Sequence, residues 1–410
     1  MTTASRAYRH HLSWLYGLQK FGIKLGLENI QRLVAELNIT VTGRVVHVAG
    51  TNGKGSVCAM IDAISRTEGF RTGLFTSPHL ITYRERIRIN GRMISTEEVA
   101  DNLARIRHLI SHWDPHPTFF EVTTALALKH FADNEAQVIV LETGLGGRLD
   151  ATNGVPSDVA VITPIDLDHQ KWLGTSIEQI AAEKAGIIKA GRPVVCSPQH
   201  PAADKVIRAR AAECGSPIQV VDQPYNRGPI GLQGAHQKMN AATAVAAVKA
   251  AEITFSEDVI ARGLIAVSWP ARFQRWDDRL IIDGAHNPAA ARVLAKTWAD
   301  VFGDRRATIL LAVLGDKDVA GMVTEFASIA ERFVLPPIRG VRALAPEDLI
   351  KVVRSLAPEV GCVVADELKQ ALETARSYSS PILLTGSLHF AGEALALLEN
   401  RPAAFEECSQ

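Results

Sequence analysis

RVVHVAGTNGKGSVCAMIDAISRTEG, residues 44–69, is the stretch on which the fold turns. Its first part, Arg44–Gly50, is the apolar, β-branched run of a buried strand, and Lys54 to Glu68 reads as a helix that Gly69 stops. Between them lie Gly50, Thr51, Asn52, Gly53, Lys54, Gly55 and Ser56. Glycines let the backbone turn tightly so that successive N–H groups point inward, and the following helix N-terminus adds positive potential. Lys54 would neutralise charge on a transferred phosphate, and Ser56 offers a hydroxyl to phosphate or to metal-bound water. The loop departs from the common form: Gly55 separates the lysine from the hydroxyl residue, and the opening gap is shorter. A Gly-rich strand-to-helix turn without a ligand would share these letters. The order strand, loop, lysine, hydroxyl, helix favours nucleotide phosphate binding.

The pattern continues outward from this unit. Gln137–Glu142 and Asp158–Thr163 are further buried strands, Ser176–Lys189 is a helix opened by a capping box of Ser176 and Gln179, and Pro193–Cys196 and Ile218–Val221 are again strand-like. Two helices, from about His236 to Ala251 and about Ser256 to Val267, close this set. A new strand at Arg279–Asp283 then opens a second series, through Ile309–Leu314, Arg332–Leu335, Cys362–Asp366 and Ile382–Gly386. Trp269–Gln274 (WPARFQ), with Pro270, interrupts the alternation and marks the boundary. The expected fold is α/β: an N-terminal P-loop domain with a doubly wound parallel sheet, residues 1–273, and a smaller Rossmann-like α/β domain, residues 274–410.

At 410 residues the chain exceeds what one core usually supports, in keeping with two domains. Its 44 basic and 44 acidic residues cancel, so the overall field gives no support for a nucleic-acid or membrane-surface partner, and an anionic ligand must be held by a local site. Five scattered cysteines without a CxxC spacing point away from a disulfide framework or structural zinc and towards a reducing compartment. MTTASRAYRHHLSWLYG has no apolar core of signal-peptide type, and no segment reaches the run of about 18 apolar residues that a membrane helix needs. A cytoplasmic protein is expected.

HVAGTNGKGSV resembles the phosphate loop of the folylpolyglutamate synthase/dihydrofolate synthase family, relatives of the Mur ligases. Further segments match in the same order: FTSPHL (75–80), TFFE (118–121), ETGLGGRLDATN (142–153), LDHQKWLG (167–174), AAEKAGI (181–187), HQKMNAATA (236–244), DGAHNPAA (283–290) and LTGSL (384–388). The resemblance implies an ATP-dependent ligase that joins L-glutamate to dihydropteroate or a reduced folate, with ATP held between the two domains. It assigns Ser77 and Glu142 to one magnesium ion and His169 to a second. Read without it, only Glu142, an acid ending a buried strand, stands out; Ser77 is a turn residue and His169 a hydrogen-bonded structural group. The family's matching lysine is carbamylated, which makes Lys184 the candidate here, where its own segment reads as a salt-bridged rim lysine. Asn240 falls to the adenine, Arg272 to the phosphates, Asp283 to the ribose, and His286 with Ser387 to the incoming glutamate. The family usually has glycine where this chain has Ala271; if that position needs a positive φ, alanine strains the loop.

No pattern of residues yields the folate site unaided. The resemblance implies three pieces: Leu25-Gly26-Leu27, Phe120 with Glu121, and Asp150 with Ala151. Phe120 could stack on a flat pterin or aminobenzoyl ring, while at least one of Phe119 and Phe120 is expected to be core. Alternatives remain at this stage. One is a Mur-type amino-acid ligase of cell-wall precursors, opposed by Gly55 after the lysine, by TFFE, and by the lack of a uridine-nucleotide domain ahead of the loop. Another is a P-loop switch ATPase, which has no need of DGAHNP in a second α/β domain. Only small-molecule partners and a monomer are expected, and whether one or both folate reactions occur stays open.

Overall fold

The computed structural model describes residues 3–22, 26–340 and 342–406. Eight strands form the first sheet: β1 (Arg44–Ala49), β2 (Thr72–Phe75), β3 (Ile87–Ile89), β4 (Arg92–Met93), β5 (Val138–Glu142), β6 (Val159–Ile162), β7 (Val194–Cys196) and β8 (Ile218–Val220), in the order β4-β3-β2-β5-β1-β6-β7-β8. From β2 to β8 all neighbours run parallel, whereas β3 and β4 add an antiparallel edge hairpin. Parallel strands buried on both faces read as continuous apolar runs, which is why β1, β5 and β6 were legible. Helices Thr3–Gly17, Thr96–Leu109 and Phe119–Asp133 cover one face; Lys54–Glu68, Ala235–Ala250 and Glu257–Ala266 cover the other.

The second sheet contains β9 (Gln274–Arg275), β10 (Leu280–Ile282), β11 (Ala307–Leu311), β12 (Ala330–Leu335), β13 (Gly361–Val364) and β14 (Ile382–Thr385), ordered β13-β12-β11-β14-β10-β9. It corrects one expectation. The series opens on the short strand β9, antiparallel to β10, and not on residues 279–283. Two residues leave no periodicity to read. The helix expected over 176–189 ends at Ala185, although Ser176 and Gln179 form the anticipated capping box. The helix Lys54–Glu68 runs as anticipated, closed by Gly69 at φ 103°.

Each parallel sheet presents its carboxyl edge to the other domain. In register, Val48 of β1 lies beside Glu142 of β5, and Ala49 beside Ile162 of β6. The loop after β1 and the acid ending β5 therefore emerge side by side, at the crevice where strand order reverses. Ile81 of the first domain is buried in the same apolar cluster as Phe390, Leu395 and Phe405 of the second, so the two domains share packed contact.

Candidate active site

The loop after β1 is held open by its glycines and braced from outside. Gly50 has φ 151° and Gly53 φ 91°, the latter a left-handed conformation that side chains resist. Thr51 and Asn52 both donate their N–H groups to the Pro164 carbonyl, at 3.0 and 3.2 Å, tying the loop to the segment after β6. Lys54 arches back over the turn and donates to the carbonyls of Gly50 (3.1 Å) and Thr51 (3.3 Å). Ser56 is buried and accepts from Gln237 at 3.3 Å. Asn240 donates to the same Gln237 at 3.0 Å, and its side-chain oxygen lies 2.8 Å from where a Cβ on Gly53 would sit. Asn240 is thus held against the loop.

Glu142 closes the opposite side. Its buried carboxylate accepts the Ser77 N–H at 3.1 Å, and its Oε1 lies 3.7 Å from the place a Cβ on Gly55 would take. Burial raises the acid's pKa, offset chiefly by the Lys54 ammonium and then by the Ser77 N–H and Arg272. Among the described residues no three His, Cys, Asp or Glu side chains gather as a metal cage. One carboxylate with a nearby Ser77 hydroxyl and room for phosphate oxygens and water is the sparse oxygen set that magnesium accepts. Lys184, also buried, donates to the Gly50 carbonyl at 2.7 Å. Burial and then Lys54 bring its pKa down to about 7.

The second domain meets this site through residues the sequence only partly disclosed. Asp168 is the centre of the contact. Its carboxylate accepts Lys317 at 2.7 Å and Asn287 at 3.4 Å, with His286 Nε2 at 3.8 Å and His169 Nε2 at 3.9 Å. Burial would raise this carboxyl, but His169, Lys317 and His286 reverse that and hold it well below the usual carboxylate range. Asn287 and Asn52 exchange amide contacts at 3.2 and 3.4 Å, so the phosphate loop itself touches the second domain. His286 Nδ1 donates to the Gly284 carbonyl at 2.9 Å, which turns Nε2 towards Asp168. Burial, then Lys317, lowers its pKa to about 4, leaving it neutral at pH 7. Ser387 caps the helix Leu388–Leu398 by accepting the Phe390 N–H at 3.0 Å.

Asp283 sits at the junction. Its carboxylate is engaged by two backbone donors, Phe273 at 2.7 Å and Ala285 at 2.9 Å, and feels the Arg272 guanidinium. It therefore shapes the crossing segment before it can meet any sugar. Ala271 does have a positive φ, 55°, so this chain places a buried methyl group where the left-handed conformation is required.

The folate-side candidates divide. Phe120 is half-buried, its ring lying against Gly144, while Phe119 is core and stacks on Tyr16 with ring centroids 5.6 Å apart. Glu121 is engaged as a cap: its carboxylate accepts the Thr118 N–H at 2.7 Å, and its own N–H donates to the Thr118 hydroxyl. Asp150 accepts the N–H groups of Gly144 (2.9 Å), Leu145 (2.8 Å) and Thr152 (3.0 Å), fixing the turn after β5 in which Ala151 is buried. Leu27 packs against the helical core and Gly26 lies beside Glu28; Leu25 falls outside the described residues. Sequence reasoning missed Asp168, Lys317 and Arg86, a buried arginine whose charge also acts on Glu142. Asp168 did stand in the matched segment LDHQKWLG, next to His169; nothing local marks Lys317.

Two family models match the chain: the Mur ligase middle domain over residues 48–214 and the Mur ligase glutamate ligase domain over residues 271–388. The Bacillus subtilis dihydrofolate synthase/folylpolyglutamate synthase is 33% identical, the match covering 94% of this chain and 97% of that protein. The chain belongs to the dihydrofolate synthase/folylpolyglutamate synthase family. Among solved structures, Escherichia coli FolC in complex with DHPP and ADP superposes with a TM-score of 0.87 at 32% identity, covering 95% of this chain and 98% of that one. A bifunctional folylpolyglutamate synthase/dihydrofolate synthase with Mn, AMPPNP and L-glutamate bound gives a TM-score of 0.85 at 33% identity, covering 95% and 98%. The protein is accordingly an ATP-dependent ligase of folate metabolism, which sets aside the cell-wall and switch-ATPase alternatives.

Proposed function

We propose that this protein adds L-glutamate to dihydropteroate and to reduced folates, with the residues above in the following roles. Gly50–Ser56 cradle the ATP phosphates, Lys54 swings from its loop carbonyls onto the γ-phosphate, Asn240 faces the base, and Arg272 and Asp283 serve phosphate and ribose from the junction. Glu142 with Ser77, and His169, hold divalent ions, which supply charge neutralisation on the phosphates when bound. The observation that carries the reading is that Glu142, Lys54 and Gly55 face one another across one small space.

The substrate carboxylate attacks the γ-phosphorus, the bond to the ADP oxygen breaks, and an acyl phosphate results. The glutamate amine, oriented by His286 and Ser387, then attacks that carbonyl and gives up a proton; the C–O bond to phosphate breaks, inorganic phosphate leaves and an amide remains. Lys54 and the loop N–H groups are placed to meet the negative charge that develops in both steps. Contacts between Asn52, Asn287, Asp168 and Lys317 keep the second domain over the loop, which excludes water from an easily hydrolysed intermediate. Lys184, held near neutrality, is the lysine able to take up carbon dioxide as a carbamate. Phe120 with Glu121, Asp150 with Ala151, and Leu25-Gly26-Leu27 line the pterin side. Units 1–273 and 274–410 act as the two lobes of a cytoplasmic monomer.

The test is incorporation of labelled glutamate into dihydropteroate and into tetrahydrofolate, assayed side by side with ATP consumption. Both acceptors should be glutamylated, and Glu142→Gln should reduce the rate at least about a hundredfold. Equal ATP hydrolysis with and without acceptor and glutamate would contradict the coupling.

A further inference from the structure

Behind the active site lies a second cavity, of about 200 Å³, that none of the roles above uses. It opens between the helix Lys54–Glu68, the β3–β4 hairpin and the junction residue Trp269, and three of its lining residues are Arg66, Arg88 and Arg92. Its one carboxylate is Asp62. That acid is already committed, accepting Arg66 Nε at 2.8 Å and the Thr72 hydroxyl at 2.6 Å. Of the three guanidinium groups, Arg66 is thereby the one in a direct salt bridge among the described residues.

Arg88 and Arg92 differ in setting. Arg88 is partly buried; its Nε donates to the Glu85 carbonyl at 3.1 Å, and the guanidinium lies over the Trp269 ring at 5.3 Å. No ion pair to a carboxylate is formed by Arg88 or Arg92 among the described residues. Burial lowers the Arg88 pKa, and the charges of Glu85 and Asp62 offset only part of that shift. Arg92 is exposed at the rim, across Gly91, whose backbone approaches Arg66 so closely that a Cβ there would lie 3.3 Å from the guanidinium carbon. Such a cavity, cationic and floored by planar guanidinium groups, suits a carboxylate that accepts two hydrogen bonds at once.

Position selects the carboxylate. Arg88 and Trp269 also line the neighbouring cavity, together with Ser77, Glu142 and Arg272. Arg88 is thus the shared wall between the place where the amide bond forms and the arginine cavity behind it. We propose that the Arg66–Arg88–Arg92 cavity binds a free carboxylate of a glutamyl unit next to the reacting centre. This rests on the glutamate-ligase reading and deepens it. Two sources share the chemistry: the incoming L-glutamate, through the carboxylate far from its amine, and the γ-linked glutamyl tail of a folate acceptor.

The experiment uses the full chain as Arg88→Met, Arg92→Met and Arg88→Lys. KM is measured for L-glutamate, for ATP, and for tetrahydrofolate carrying one or three glutamyl residues. Arg88→Met should raise one carboxylate-dependent KM by about tenfold or more, and the rim variant by a few-fold, with kcat of the rim variant within about twofold. Arg88→Lys should recover part of the loss. A rise in glutamate KM alone assigns the pocket to the incoming amino acid; a rise confined to the triglutamyl acceptor assigns it to the tail. Unchanged KM values in both methionine variants, or a fall in kcat alone, overturn the proposal. If Arg88→Met does not fold, Arg92→Met, at an exposed site, decides by itself. Failure of the underlying reading is distinct, since the unmodified protein would then glutamylate neither acceptor.

Discussion

The ammonium of Lys184 donates to the carbonyl of Gly50 at 2.7 Å, so a buried helix lysine holds the first residue of the phosphate loop. Burial, then the Lys54 charge, lowers its pKa from 10.5 to about 7. The unfolded chain keeps this proton to about pH 10.5, whereas the folded one releases it near 7. The burial penalty is therefore complete below pH 7 and is relieved as pH rises. In carbonate-free buffer, the unfolding free energy should climb with pH relative to Lys184→Met by about 1.4 kcal/mol per unit between roughly pH 7 and 9. Denaturant melts of the two proteins check this; parallel curves would show an ordinary lysine.

Asp168 and Lys317 join the domains by a pair in which both side chains are largely buried, 10% and 11% exposed. Lys317→Met strands the carboxylate and should cost roughly 3 kcal/mol, the lower end for a broken buried pair, because the Asn287 amide remains. In an Asp168→Asn background the same change should cost far less. A double-mutant cycle by thermal unfolding measures the coupling, and strict additivity would refute it.

Ala271 is buried at φ 55°. Glycine removes the strain but also a buried methyl, so Ala271→Gly should shift stability by less than about 1 kcal/mol. Ala271→Val adds β-branching to a left-handed residue in a packed core and should lose about 2 kcal/mol or more. Equal unfolding midpoints for both variants would mean that the junction relaxes freely.

Glu406, near the C-terminus, clamps the loop that carries Ser77 and Arg86. Its carboxylate accepts the Tyr83 N–H (2.6 Å), the Thr82 hydroxyl (3.0 Å) and the Tyr8 hydroxyl (3.1 Å). Its carbonyl accepts His79 Nε2 at 2.9 Å, and His79 Nδ1 accepts Arg86 Nε at 2.9 Å. Glu406→Ala should lower stability by about 2 kcal/mol, while Glu406→Gln should retain most of it. Thermal unfolding and glutamate KM of both variants test the clamp; an unaltered Glu406→Ala protein would dismiss it.

The sequence by itself determined the local units. Strand β1, the loop Gly50–Ser56, the helix to Glu68, the capping box of Ser176 with Gln179 and the second α/β series were legible because periodicity, glycines and caps act within a few residues. The short strands β3, β4 and β9 escaped, being too brief to show a period. Only the tertiary structure decided which side chains meet. Setting β1 between β5 and β6 brings Glu142 beside the loop, and docking the second sheet carries Lys317 to Asp168 across 149 positions of chain. The cap that Glu121 makes with Thr118 lies within one turn of its own helix. Hydrogen bonding within one turn is written in neighbouring letters. Charge pairing between domains is set by strand order and packing, which no local stretch records.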